Sequence, residues 1–363
     1  MAIHFEPGRW QRVQHSYNAF WNRKSDRLVY GVALREHPQD FSGDIPLLSQ
    51  ANCNDFSVTP GQIADRALAH LSQYEFYGDA YPLFNMDCYG PGVVAAFLGA
   101  QLDNSTGNVW FHPAETREIG DLQLRYDPEN PWLQRVREVC AAMTDRFEGR
   151  ALVGLPDLGG VLDILSTFLP GEQLLYDLVD EPETVRRLCA EVTALWHRYC
   201  DEFLGICALP GGGNSNWSTL YSQSPSYIVQ CDFSYMIGPD MFGEFVLPTI
   251  RQHCEKLEHV IYHLDGVGEL PHLPQLLGLE KLDAVQWIPG AGNPQPDHPD
   301  YLEIYRRILA AGKQVQVQYC SADVLLNVVQ AVGGAGLNHP ITWHEAGEKA
   351  AMLAALQALG VEV

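Results

Sequence analysis

The chain has 363 residues, 46% of them hydrophobic, and a formal net charge of -22. That length and apolar content suffice for one large α/β domain with a substantial core, while the acidity, without any cluster of Lys and Arg, disfavours a nucleic-acid or anionic-membrane partner. Nine cysteines without a CxxC pair or a disulfide-like spacing are expected to be small buried hydrophobes in a reducing compartment, and "MAIHFEPGRW" lacks the basic and apolar blocks of a signal peptide, so a cytoplasmic location is expected.

Residues 1–80 include "FEPGRWQRVQHSYNAFWNRKSDRLVYGVAL". They are expected to form a helix, a turn and an extra strand, an N-terminal helical extension packed on the remainder. From 81 to 363, eight short apolar runs alternate with helix-like stretches. In chain order the candidate strands are "PLFNMDC", "ALVGLPD", "NWSTLY", "YIVQCD", "VIYHLD", "AVQWIP", "QVQVQY" and "PITWH". Segments such as "DEPETVRRLCAEVTALWHRYCDEFL" and "PDYLEIYRRILAAGK" repeat apolar residues at helical spacing. Eight β/α units predict a single (β/α)8 TIM barrel. "LPGGGNSNW" and "IPGAGNPQPDHPDY" read as long loops over its mouth. The "GGG" has no Walker lysine and opens no helix after a strand, so phosphate binding is not expected.

Nearly every candidate strand ends in a polar or aromatic residue: Asp87, Asp157, Tyr221, Asp232, His263, Asp265, Trp287, Cys320 and His344. A single Asp at such a position commonly caps a helix or shapes a turn. Nine together point to a functional mouth, because the C-terminal ends of barrel strands carry the active site. In "VIYHLDG" side chains alternate faces, so His263 and Asp265 point the same way and Leu264 the other.

Several of these stretches resemble the uroporphyrinogen decarboxylase superfamily, which also holds zinc-dependent methyltransferases acting with corrinoid proteins or coenzyme M. The likeness runs through "GDAYPLFNMDCYGPGVVAAFLGAQL", "GGVLDILSTFLPGE", "LLYDLVDEPETVRRL", "QCDFSYMIGPDMFGEFVLP" and "CSADVLL". It implies the barrel fold. The paired arginines that bind an acidic tetrapyrrole in true decarboxylases are missing, with only Arg27 and Arg35 in an unrelated context. The methyltransferase branch has a His-x-Cys-Gly strand end and a later cysteine. Here His263-Leu264-Asp265-Gly266 stands in that place, with Cys320 and His344 downstream.

The resemblance therefore implies a zinc or other divalent site using His263 and Asp265, with Cys320 or His344 as third ligand. The alternative is a metal-free mouth in which Asp265 orients His263 for acid/base work. Asp87 and Asp232, with His263, are the candidate catalytic groups. Phe84, Tyr89, Trp217, Tyr221, Tyr235 and Trp287 are expected to contribute an aromatic, water-excluding wall for a small-molecule substrate. The expected activity is methyl transfer from a small methylated donor to a thiol or to a corrinoid carried on a partner protein. A metal-free decarboxylase or lyase, and a non-catalytic binding partner of a corrinoid protein, are the competing readings.

Overall fold

The computed structural model describes residues 3–41, 45–209 and 212–363. Pro210 and Gly211, in the Gly-rich loop expected at 209–217, lie outside the described residues. Proline opens the helices Pro60–Leu71, Pro131–Phe147, Pro182–Cys207 and Pro299–Ala310, where its fixed φ and missing N–H cost nothing. Thr59 and Gln62 form a reciprocal capping box on the first of these, and the Asn130 side chain accepts the Trp132 and Leu133 N–H groups on the second. Two helices expected from apolar spacing are thus present, at Pro182–Cys207 and Pro299–Ala310.

The strands are β1 (Gly31–Arg35), β2 (Glu75–Gly78), β3 (Leu83–Phe84), β4 (Gln101–Asp103), β5 (Trp110–His112), β6 (Leu152–Val153), β7 (Ser226–Gln230), β8 (His259–Asp265), β9 (Ala284–Ile288), β10 (Gln314–Val317), β11 (Leu337–Asn338) and β12 (Thr342–Glu345). β7 to β11 form one parallel sheet in chain order, β3 pairs with β6 in parallel, and β4–β5 is an antiparallel hairpin. Helices lie between successive parallel strands, which gives an α/β fold. The buried apolar residues form one core cluster running from Ile3 to Val361.

β1 does not sit outside this arrangement. It pairs in parallel with β12 and antiparallel with β2, and a parallel bridge joins Val29 to Asn338 beside β11. Asp79, 3% exposed, accepts both terminal guanidinium nitrogens of Arg27 at 2.6 and 2.8 Å and the Tyr30 N–H at 3.1 Å. Residues 1–80 are thus joined to the remainder by a continuous hydrogen-bonded structure.

Two expected strands differ for local reasons. "NWSTLY" is no strand: the Asn216 side chain accepts from the Ser218 N–H and hydroxyl at 3.0 and 2.7 Å, and Thr219 takes φ 60°, closing a turn. A parallel bridge joins Leu155 to Asn216 there, and an antiparallel bridge joins Asn214 to Ser222. "PITWH" was expected to complete the barrel wall. Instead β11 pairs with β10 and β12 with β1, and Pro340, which has no N–H to donate, separates the two.

Candidate functional site

The parallel register between β7 and β8 sets Gln230 beside His263. Two residues further on, each chain reaches an aspartate, Asp232 after β7 and Asp265 at the end of β8. Ligand atoms of Asp232, His263 and Asp265 lie within 4.8 Å of one another. Strand alternation accounts for the pair on β8, with Leu264 fully buried on the other face. Asp232 is held from below: the Asp163 carboxylate accepts the N–H groups of Asp232 and Phe233 at 3.1 and 2.7 Å. Gly160 is needed there, since a Cβ would come within 2.3 Å of Asp163 Oδ2 and of the Gln230 carbonyl.

A row of amides runs beneath His263. Residues at the same register on the next strands are Gln286, Gln316 and Asn338. Asn338 donates from Nδ2 to the Val29 carbonyl at 3.0 Å, and that carbonyl can only accept. Asn338 Oδ1 then accepts from Gln316 Nε2 at 2.7 Å, and Gln316 Oε1 accepts from Gln286 Nε2 at 2.6 Å. Gln286 Oε1 is left to accept from His263 Nδ1, 2.5 Å away. The backbone carbonyl at the far end thus orients every amide and places the His263 proton on Nδ1. Nε2 is the nitrogen left with a lone pair. Burial lowers the His263 pKa against the opposing pull of Gln286 and Asp265, favouring the neutral ring that a metal needs.

The carboxylates around this point crowd one another. Burial, then Asp265, pushes Asp232 up, although the residue is exposed and borders two cavities. Burial and Asp232 push Asp163 up. Burial takes Asp157 to about 7 against the pull of the Gly159 N–H. Glu269 is fully buried; its Oε2 accepts the Asp265 N–H at 3.2 Å, and burial with Asp232 pushes it to about 9. Its Oε1 has no hydrogen-bond partner among the described residues.

Of the expected ligands, Cys320 and His344 are outside the group. Cys320 turns to His339, its N–H 3.2 Å and its sulfur 3.7 Å from Nε2, and burial pushes the thiol up to about 12. His344 lies on β12 opposite Leu34, with Nε2 at 2.9 Å from Thr342 Oγ1 and Nδ1 near Glu348. The third member of the group is Asp232, which the sequence had suggested as an acid/base group. Asp87 stands on the same side, close enough to raise Asp157, and is itself raised by burial.

The aromatic wall is smaller than expected. Trp217 meets His263 edge to face with centroids 5.1 Å apart, and Tyr235, 53% exposed, packs beside Gly266 and Gly268. Phe84 and Tyr89 are core residues. Tyr221 is buried among Trp10, Tyr17 and Tyr81 beneath the first helix, its hydroxyl donating to the Gly212 carbonyl. Trp287 alternates away from Gln286 and packs on Tyr301 of the helix layer at 5.6 Å. Sequence reasoning missed Asp163, Glu269 and the amide row. The row had a visible signal, Gln286 within the otherwise apolar run "AVQWI" and Gln316 within the alternating run "QVQVQ".

No family model and no curated protein matches the chain. Among solved structures, a mandelate racemase/muconate lactonizing enzyme from Jannaschia sp. CCS1 is similar at 13% identity, covering 95% of this chain and 76% of that one, with a TM-score of 0.34. That likeness is too distant to bear on activity.

Proposed function

We propose that this chain is a divalent-metal enzyme on a (β/α)8 barrel, and that it moves a methyl group from a small methylated donor to a thiol or corrinoid acceptor. The eight barrel strands are β1, β3 and β6 to β11. The five-stranded parallel sheet, the β3–β6 pair, the Val29–Asn338 bridge and the Asp79 N–H donated to the Tyr30 carbonyl support this closure. The 214–222 segment fills the space between β6 and β7, bridging to Leu155 and accepting the Ser226 hydroxyl at Asn214.

The observation that carries the metal is the convergence of one imidazole and two carboxylates within 4.8 Å. Nitrogen and oxygen donors in threes suit zinc or another divalent ion with open positions. Bound there, the ion supplies Lewis-acid polarisation of a donor heteroatom. The amide row holds His263 with Nε2 free, and Glu269 holds the Asp265 backbone. Asp163, raised and facing the same cavity as Asp232, is placed to give a proton to a departing oxygen or nitrogen. No sulfur belongs to the ligand set, which favours activation of the donor over activation of a thiol. Asp232 lies between two cavities of about 470 and 330 Å³, an arrangement that suits a donor and an acceptor meeting at one centre.

Metal analysis tests the proposal. The wild-type protein should retain about one equivalent of Zn2+ or another divalent ion, and His263→Ala should lose it with the fold intact by circular dichroism. If wild-type protein holds no stoichiometric metal and added Zn2+ leaves its melting temperature unchanged, the metal assignment falls. Asp163, Glu269 and neutral His263 are then an acid/base set for a lyase or decarboxylase.

A further inference from the structure

Between the β4–β5 hairpin and the helix Val161–Phe168 lies a cavity of about 470 Å³. Its walls are apolar, with Trp110 and Phe111 from the hairpin facing Ile164 from the helix. Trp110 is 61% exposed, a large ring left in water at the rim. The floor is polar: Asp163, Asp232 and Gln230.

Gln230 is the informative member. It is only 8% exposed, lines the cavity, and its carboxamide has no hydrogen-bond partner among the described residues. Its neighbours at the same register, from His263 through Gln286 and Gln316 to Asn338, are all linked by hydrogen bonds. Open to the cavity, that carboxamide is left to meet water or the head of a ligand. Among the described residues no Lys or Arg lines the cavity, and its one titratable base, His112, is exposed. The basic groups Arg9, Arg12 and Lys24 gather instead in a cavity of about 700 Å³ at the N-terminal ends of β1 and β3.

We infer that the hairpin cavity is the chamber for one substrate, an uncharged or cationic small molecule with a ring-sized apolar body and one hydrogen-bonding head. The body lies between Trp110 and Ile164, and the head meets the Gln230 carboxamide within reach of Asp232. In the metal-free protein carboxylate and phosphate heads are disfavoured, because Asp163 and Asp232 form the floor and no Lys or Arg lines the cavity among the described residues. The chamber's role as a substrate site rests on the metal-enzyme reading, but its ligand preference does not.

The test is a titration of metal-free, 15N-labelled protein with benzyl alcohol, benzylamine and benzoate, three probes sharing a body and differing in the head. The Trp110 indole and Gln230 carboxamide signals should shift saturably with the first two. Benzoate should bind at least about tenfold more weakly, and Trp110→Ala, a change at the surface, should weaken benzyl alcohol by about fivefold. Gln230→Leu should reduce the preference for benzyl alcohol over toluene. Equal binding of benzoate, unmoved Trp110 and Gln230 signals up to about 20 mM probe, or a Trp110→Ala variant that binds as wild type overturns the inference. Absence of metal from Asp232, His263 and Asp265 would defeat the other proposal without altering these results.

Discussion

Replacing Gln286 by Leu removes the one residue that both accepts from His263 Nδ1 at 2.5 Å and donates to Gln316 Oε1 at 2.6 Å. Leu fits the buried volume but offers neither group. Two buried polar atoms lose partners, at about 1–3 kcal/mol each, so unfolding stability should fall by about 2–4 kcal/mol after partial relaxation. The larger interest is at the metal. Freed from its acceptor, the ring can carry its proton on either nitrogen and rotate, and loss of such an outer partner typically weakens metal binding about 10- to 100-fold, or roughly 1.4–2.7 kcal/mol. Chelator competition with Zn2+ measures the affinity, and long-range 1H–15N NMR of the metal-free protein reports which nitrogen of His263 is protonated. Trp287→Phe is the control: its neighbouring side chain faces the helix layer, so it should lower stability and leave metal affinity within about twofold. Wild-type His263 protonated on Nε2, or a Gln286→Leu variant with unchanged affinity, would refute the reasoning.

Other outcomes follow from the same geometry. Asp157 binds its proton up to about pH 7 in the folded chain but only to about 3.9 when unfolded, so the native state holds the extra proton between these values and stability falls as pH rises through that window, on the order of 1 kcal/mol per unit. Asp157→Asn keeps the acceptor for Gly159 and Gly92 and should flatten that part of the denaturation profile; an unchanged slope counts against the burial argument. Gly159→Ala should cost about 2–5 kcal/mol, because Gly159 has φ +79° and a Cβ would stand 2.4 Å from the Gly92 Cα. Chemical denaturation reads this directly. Cys320→Ser should leave metal content unchanged, since the sulfur faces His339; loss of metal in that variant would restore Cys320 as a ligand.

The strand positions were legible because apolar runs bounded by Gly, Pro and Asp mark buried parallel strands whatever lies around them, and β7 to β10 all fall where such runs occur. "NWSTLY" shows the limit: its composition suits a strand, but Asn216 bonds locally to Ser218 and turns the chain. Period-two alternation placed His263 with Asp265 without any structure. It could not place Asp232, because that pairing depends on the register between two strands, nor exclude Cys320 and His344, because Cys320 turns to His339 along a loop and His344 lies on β12, which pairs with β1. Trp287 was misjudged because a terminal position on a strand does not reveal which face an aromatic takes, and Tyr221 because its segment is a turn and no strand.

The amide row ends on the Val29 carbonyl, 309 residues before its donor Asn338. A ribosome must therefore deliver almost the whole chain before the row can be anchored, and a truncated or arrested chain lacks the element that sets His263. Contacts of such separation are slow to form and leave earlier strands waiting with unpaired edges. Metal capture at the proposed site should then be a late event of maturation, arriving only after the segment before β1 has found β11.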